Sequence, residues 1–111
     1  MKTSRVLIME DEDDLRHLYS KALTKAGYEV YSAANLQTAR NYLGEQQFDA
    51  FLCDIRIGKN ELGTTLLREK LDTLQENDTR VIVLSCETQY RPLCEEMGVE
   101  FFLESQWPFT R

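Results

Sequence analysis

The chain lacks any apolar run approaching the ~20 residues of a membrane-spanning helix, so nothing in it reads as a transmembrane segment. It is also short of cations. Thirteen Lys and Arg against 19 Asp and Glu leave a formal charge of −6, and such a surface offers no basic track for a phosphate backbone. Direct nucleic-acid binding by this segment is therefore not expected, although an attached domain could still provide it. Cysteine is scarce as well: Cys53, Cys86 and Cys94 follow neither a metal-binding spacing nor a disulfide framework. With Cys53 and Cys86 in or beside hydrophobic strands, they read as small buried side chains in a reducing cytoplasm. The opening MKTSRVLIMEDEDD begins with basic residues but has no sustained hydrophobic segment or cleavage site, so it is not a signal peptide.

What is present fits one soluble globular domain. A length of 111 residues, with 42% hydrophobic and 29% charged, supports one core and is too short for two ordinary ones. Arg5 to Met9 predicts a short buried strand, after which Leu15, Leu18, Tyr19, Ala22, Leu23 and Ala26 recur at helical spacing and Gly27 ends the helix in a left-handed position. Tyr28 to Ala33 predicts a second strand. Asn35 is placed to cap a helix carrying Leu36, Ala39 and Leu43 that stops at Gly44. A third strand runs from Phe48 to Cys53 and ends in Asp54. A polar loop with Gly58 and Gly63 follows, and Leu66, Leu67, Lys70, Leu71 and Leu74 mark a third helix. RVIVLS, residues 80–85, is the clearest strand; residues 88–97 predict a weaker helix, and Phe101 to Leu103 a last strand.

Strands that are apolar throughout, alternating with amphipathic helices, predict an α/β fold: a doubly wound, five-stranded parallel sheet covered on both faces. No helix is expected after the fifth strand, which predicts a single unit over 1–111 that is truncated or lacks its last helix. In open parallel sheets functional groups collect beyond the carboxyl ends of the strands. In the flavodoxin-like order 2-1-3-4-5 the first strand lies beside the third, and Glu10, Asp11 and Asp54 then converge. Three carboxylates in one pocket raise each other's pKa unless a cation neutralises them. Mg²⁺ suits such a pocket, being a hard ion that takes oxygen ligands and keeps several waters. The acidic block alone also reads as a solvated loop; Asp54 at the end of a second apolar strand argues against that.

The succession VLIMEDEDDLRHLY, FDAFLCDIR, VIVLS and GVEFFLES resembles the receiver domain of two-component response regulators over essentially the whole chain. The resemblance implies that Asp54 accepts a phosphoryl group from a histidine kinase or a phosphotransfer protein. It implies that Glu10 and Asp11 hold Mg²⁺, with Asp11 the direct ligand and Glu10 acting through water, and that the main-chain carbonyl of Arg56 completes the protein ligands. Ser85 corresponds to the hydroxyl that senses the phosphoryl oxygen, and Phe102 to the aromatic switch position on the last strand. The implied protein is a cytoplasmic phosphoacceptor that assists its own phosphorylation and dephosphorylation, not a metabolic enzyme. It makes no membrane contact, and its output runs through a fused domain, a separate partner or a homodimer formed on helix four and strand five.

The sequence departs from the family pattern in two places. Receivers carry a Lys after the fifth strand, followed by Pro and Phe. Here seven residues beyond Gly98 stands Ser105, then Gln106, and aligning Pro108 and Phe109 instead puts Trp107 at the lysine position. Neither substitute brings a compact cation. In DIRIGKNELG, Gly58 takes the usual Pro position and Gly63 lies one residue further on than the family glycine, so the loop beside the metal is expected to be looser. The alternative reading is a degenerate receiver that acts as a phosphate-independent interaction module. A third reading, a Mg²⁺-dependent phosphatase, requires Glu12 or Asp13 to point into the pocket.

Other residues carry plainer expectations. His17 is placed on the solvent side of the first helix, Cys86 tolerates its position as a small side chain, Glu87 caps or solvates the next turn, and Lys59 is a candidate replacement cation.

Overall fold

A computed structural model describes residues 3–57, 61–85, 88–99 and 101–104. Expectations for Gly58, Lys59, Cys86, Glu87, the Ser105 to Phe109 stretch and a fifth helix lie outside the described residues. The first apolar run forms β1, Arg5–Met9, and α1 follows over Asp13–Lys25. The chain leaves α1 through Ala26 into Gly27, whose φ of 102° lies where a side chain is disfavoured. Next come β2, Glu29–Ala33, and α2, Leu36–Glu45. Asn35 caps α2 as expected, its side-chain oxygen accepting the Thr38 N–H at 2.8 Å.

Several predicted boundaries shift, two of them informatively. Gly44 lies inside α2, which runs on to Glu45. Phe48 is buried but precedes β3, Ala50–Asp54. The loop after β3 also differs from the expected polar connection: β4, Arg56–Ile57, and β5, Glu61–Leu62, pair antiparallel as a small ribbon, and Gly63 is the first residue of α3, Gly63–Glu76. Ile55 and Ile57 anchor the ribbon, both essentially inaccessible. The remaining elements are β6, Arg80–Ser85, a short 3-10 turn over Thr88–Tyr90, α4, Arg91–Glu96, and β7, Phe101–Glu104.

The main sheet is parallel throughout, in the order β2-β1-β3-β6-β7. With the ribbon set aside, this is the predicted order 2-1-3-4-5. Strand alternation divides the sheet's apolar residues between two faces. Leu7, Met9, Phe51, Cys53, Val83 and Phe102 join α2 and α3 residues in one continuous core. Val6, Ile8, Leu52, Ile82, Leu84, Phe101 and Leu103 alternate with them and point the other way. On that second face α1 packs over β2 and β1, yet no residue of α1 is fully buried. Phe101 and Leu103 remain 40% and 51% exposed among the described residues, and Leu18 of α1 50%. Among the described residues the core is thus strongly one-sided. None of the described helices is long and apolar enough to cross a membrane.

Candidate phosphoacceptor and metal site

Register brings the acidic residues together. Met9 pairs with Cys53 across β1 and β3, so Glu10 and Asp54 follow at the same level beyond the carboxyl ends of adjacent strands. The N–H of Glu10 still bonds to the Ala33 carbonyl at 3.0 Å, holding the chain in line with the sheet before it turns. One carboxylate oxygen each from Glu10, Asp11 and Asp54 lies within 4.8 Å of the others. Glu10 and Asp54 are buried, while Asp11 is half-buried.

This crowding has an electrostatic signature. Burial, then the charge and hydrogen bonding of Asp54, push the Glu10 carboxyl from its ordinary 4.5 up to about 8, against the opposing pull of the Glu12 N–H. That N–H reaches the Glu10 carboxylate at 3.2 Å. A divalent cation would replace the shared proton and remove the repulsion, and an all-oxygen donor set of this kind suits Mg²⁺. Glu10, Asp11 and Asp54 fit that ion by charge, spacing and chemistry.

The other expected residues surround this cluster. Arg56 opens the ribbon with an exposed side chain. Gly63 donates its N–H to the Ile55 carbonyl, the bond that flanks a non-hydrogen-bonded Arg56/Leu62 pair in an antiparallel ribbon, so the Arg56 carbonyl points out of the ladder. Ser85 is buried at the end of β6, one residue beyond Leu84, which pairs with Asp54. Phe102 is buried mid-strand in β7, opposite Val83. His17 is exposed on α1. Asp13 is 85% exposed at its side chain and pairs with Arg16, and Glu12 is exposed, so neither of the two acids that the phosphatase reading needs is buried in the pocket.

Three contacts at the site went unread in the sequence. Arg16 bonds to the Glu10 carbonyl at 3.0 Å; its signal was a basic residue three positions beyond Asp13, directly after the acidic block. Arg91 sits over the Phe102 ring, 5.4 Å from its centre. Gly63 presses against the Asp54 backbone. These last two join residues of neighbouring elements, nine and eleven positions apart, for which helical or strand periodicity carries no signal.

Comparisons with known proteins converge on one family. The family model described as "Response regulator receiver domain" matches residues 6–107. Regulatory protein AtoC of Escherichia coli is 32% identical over 81 residues, covering 73% of this chain and 16% of AtoC. The response regulator receiver protein CpdR of Brucella abortus is 43% identical over 51 residues, covering 46% of this chain and 42% of CpdR. The chain therefore spans less than half the length of these curated relatives. Among solved structures, a CheY-like receiver domain from Methanospirillum hungatei superposes with a TM-score of 0.86 at 19% identity, covering 96% of this chain and 84% of that one. TrrA of Thermotoga maritima, solved in complex with Mg²⁺-BeF, gives 0.80 at 22% identity, covering 96% and 90%. At these identities the structures speak for the fold, and the family match covers nearly all of the sequence. The chain belongs to the response regulator receiver domain family.

Proposed function

We propose that this chain is a phosphoacceptor signalling domain in which Asp54 receives a phosphoryl group from a histidine kinase or phosphotransfer protein, with Mg²⁺ held by Glu10, Asp11, Asp54 and the Arg56 carbonyl. The observation that carries this reading is the convergence of three carboxylates, two of them buried, at the carboxyl edge of a parallel sheet. Such a cluster is costly to desolvate unless a cation serves it. When bound, Mg²⁺ supplies positive charge that offsets the repulsion between a carboxylate and an anionic phosphoryl donor.

The chain's own groups do the rest. Asp54 presents the attacking oxygen from the end of a rigid central strand. Glu10 holds or releases a proton according to whether the pocket is neutralised. Ser85, one residue beyond the level of Asp54, offers a hydroxyl to the new phosphoryl oxygens, and Phe102, opposite Val83 two residues before Ser85, is placed on β7 to feel any movement of β6. The unit acts as a cytoplasmic switch over residues 1–111, with output through a fused or separate domain or through a homodimer on the α4 and β7 side.

The test is intact-mass measurement after incubation with a small-molecule phosphodonor, with and without Mg²⁺, beside Asp54→Asn. A Mg²⁺-dependent phosphoryl adduct missing from Asp54→Asn is the expected result. A second reading, the phosphate-independent interaction module, is favoured by the absence of any Lys after Lys70 and by a Phe without a hydroxyl at 102. No adduct at any time, with Mg²⁺ still bound, would select it.

A further inference from the structure

The guanidinium of Arg16 spans the acidic turn from one side to the other. One nitrogen donates to the carbonyl of Glu10 at 3.0 Å, and another reaches the carboxylate of Asp13. Asp11 lies between these two anchors. The Arg16 N–H, meanwhile, makes the first bond of α1, to the Glu12 carbonyl at 2.9 Å. The side chain of Arg16 is only 21% exposed, against 85% for Asp13. A pair this lopsided and this wet contributes little to helix stability as an ion pair. The bond to Glu10 is of a different kind, because it leaves the helix and fixes a peptide group at the end of β1.

That peptide group joins Glu10 to Asp11. Its orientation sets where both carboxylates point, since rotating one peptide plane turns the backbone on either side of it. Five consecutive acidic residues, 10–14, tend to spread this turn by mutual repulsion. Arg offers a planar fork of donors that can hold two acceptors at fixed separation, whereas Lys offers a single ammonium point.

We propose that Arg16 is a positioning residue for the metal site: by bridging the Glu10 carbonyl and Asp13 it holds the 10–13 turn with Glu10 and Asp11 aimed at Asp54. The inference rests on the Mg²⁺ reading of the pocket. It assigns Arg16 a geometric role rather than a general electrostatic one, and the two roles differ in what they do to ion selectivity. Mg²⁺ demands near-ideal octahedral geometry, while Ca²⁺ tolerates irregular sites. Loosening the turn therefore harms Mg²⁺ more than Ca²⁺. Removing a positive charge strengthens the attraction of the pocket for both ions alike.

The experiment is calorimetric titration of the full chain with Mg²⁺ and with Ca²⁺, for wild type, Arg16→Ala, Arg16→Lys and Arg40→Ala, with folding of each checked by circular dichroism. Arg40 pairs with Glu69 through two bonds of 2.7 and 3.0 Å between α2 and α3, so its loss controls for removing a surface arginine. The expected result is about tenfold weaker Mg²⁺ binding in Arg16→Ala, the usual scale for losing a group that orients metal ligands. Ca²⁺ should weaken about threefold or less, Arg16→Lys should recover only part of the Mg²⁺ loss, and Arg40→Ala should match wild type. Unchanged or equally changed affinities for the two ions in Arg16→Ala, or full recovery by Arg16→Lys, overturn the positioning role and leave the site reading intact. If Arg16→Ala does not fold, Arg16→Lys decides: lost Mg²⁺ preference supports the role and wild-type preference overturns it. Wild-type protein that takes up no Mg²⁺ overturns the site reading, and this inference with it.

Discussion

Gly63 sits against the backbone of Asp54 so closely that a Cβ there would overlap the Asp54 carbonyl oxygen and stand 2.8 Å from the Cys53 sulfur. The first residue of α3 is thereby the support for the end of β3. Gly63→Ala is expected to destabilise the fold by about 1–3 kcal/mol, the range for forcing atoms into a packed interior, and to weaken phosphorylation of Asp54 more than the stability loss explains. Urea unfolding and the phosphodonor assay check the two parts separately. A fully stable, fully active Gly63→Ala would show that α3 can slide away at no cost.

The Glu10 carboxyl titrates near 8 in the folded protein and near its ordinary 4.5 when unfolded. Between those values the native state keeps a proton that the unfolded chain has lost. This group's contribution is therefore fully present below about pH 4.5 and is lost as pH rises through about 8. In EDTA the urea midpoint is expected to fall as pH rises from about 4.5 to about 8, an effect on the order of a few kcal/mol at most. Glu10→Gln should flatten that slope. Mg²⁺ needs the ionised carboxylate, so its stabilisation should grow over the same interval. A midpoint that rises with pH in EDTA contradicts the buried, protonated Glu10.

Arg91 ties α4 to β7 through the ring of Phe102 and, at 3.4 Å, through the Phe102 carbonyl. Its side chain is half-exposed, which keeps the ring contact to about 0.5–1 kcal/mol. Arg91→Ala should cost about that much in urea unfolding, while Phe102→Ala, emptying a buried site, should cost about 3 kcal/mol or more. A larger loss from Arg91→Ala than from Phe102→Ala would reverse this ranking of ring and clamp.

Asp78, just past the end of α3, holds a φ of 53°, a left-handed conformation that favours glycine. Asp78→Gly should raise stability by about 0.5–1 kcal/mol, read as a higher thermal midpoint. A lower midpoint would mean that the Asp78 side chain contributes more than its backbone strain removes.

The parts of this fold that the sequence made legible were those whose signal is local. Arg5–Met9 matched its strand to the residue, Gly27 and Asn35 ended and began their helices, and the acidic residues after β1 and β3 met as their strand ends required. The errors also have local causes. Gly44 looked like a helix stop, but the helix ran one residue further because an exposed glycine costs an α-helix only about 1 kcal/mol. Phe48 looked like part of β3 because burial, not strand pairing, selects an aromatic residue. The β4–β5 ribbon escaped notice because two-residue strands are too short for any period to register. Arg16 and Arg91 make side-chain contacts that no periodicity encodes, and only the folded structure shows which acceptor or ring each one reaches.

The uneven burial of the two sheet faces also orders how the molecule comes apart. Among the described residues β7 is a four-residue edge strand paired with β6, with Phe102 buried and its neighbours Phe101 and Leu103 about half-exposed. Such a strand exchanges its amide hydrogens through small, cheap openings, whereas β1, β3 and β6, packed on the deep core, open only when the whole domain unfolds. The carboxylates of Glu10 and Asp54 project from those slow strands. A protein built this way can open its far edge without global unfolding, so motion at β7 need not pass through the strands that carry the acidic pocket.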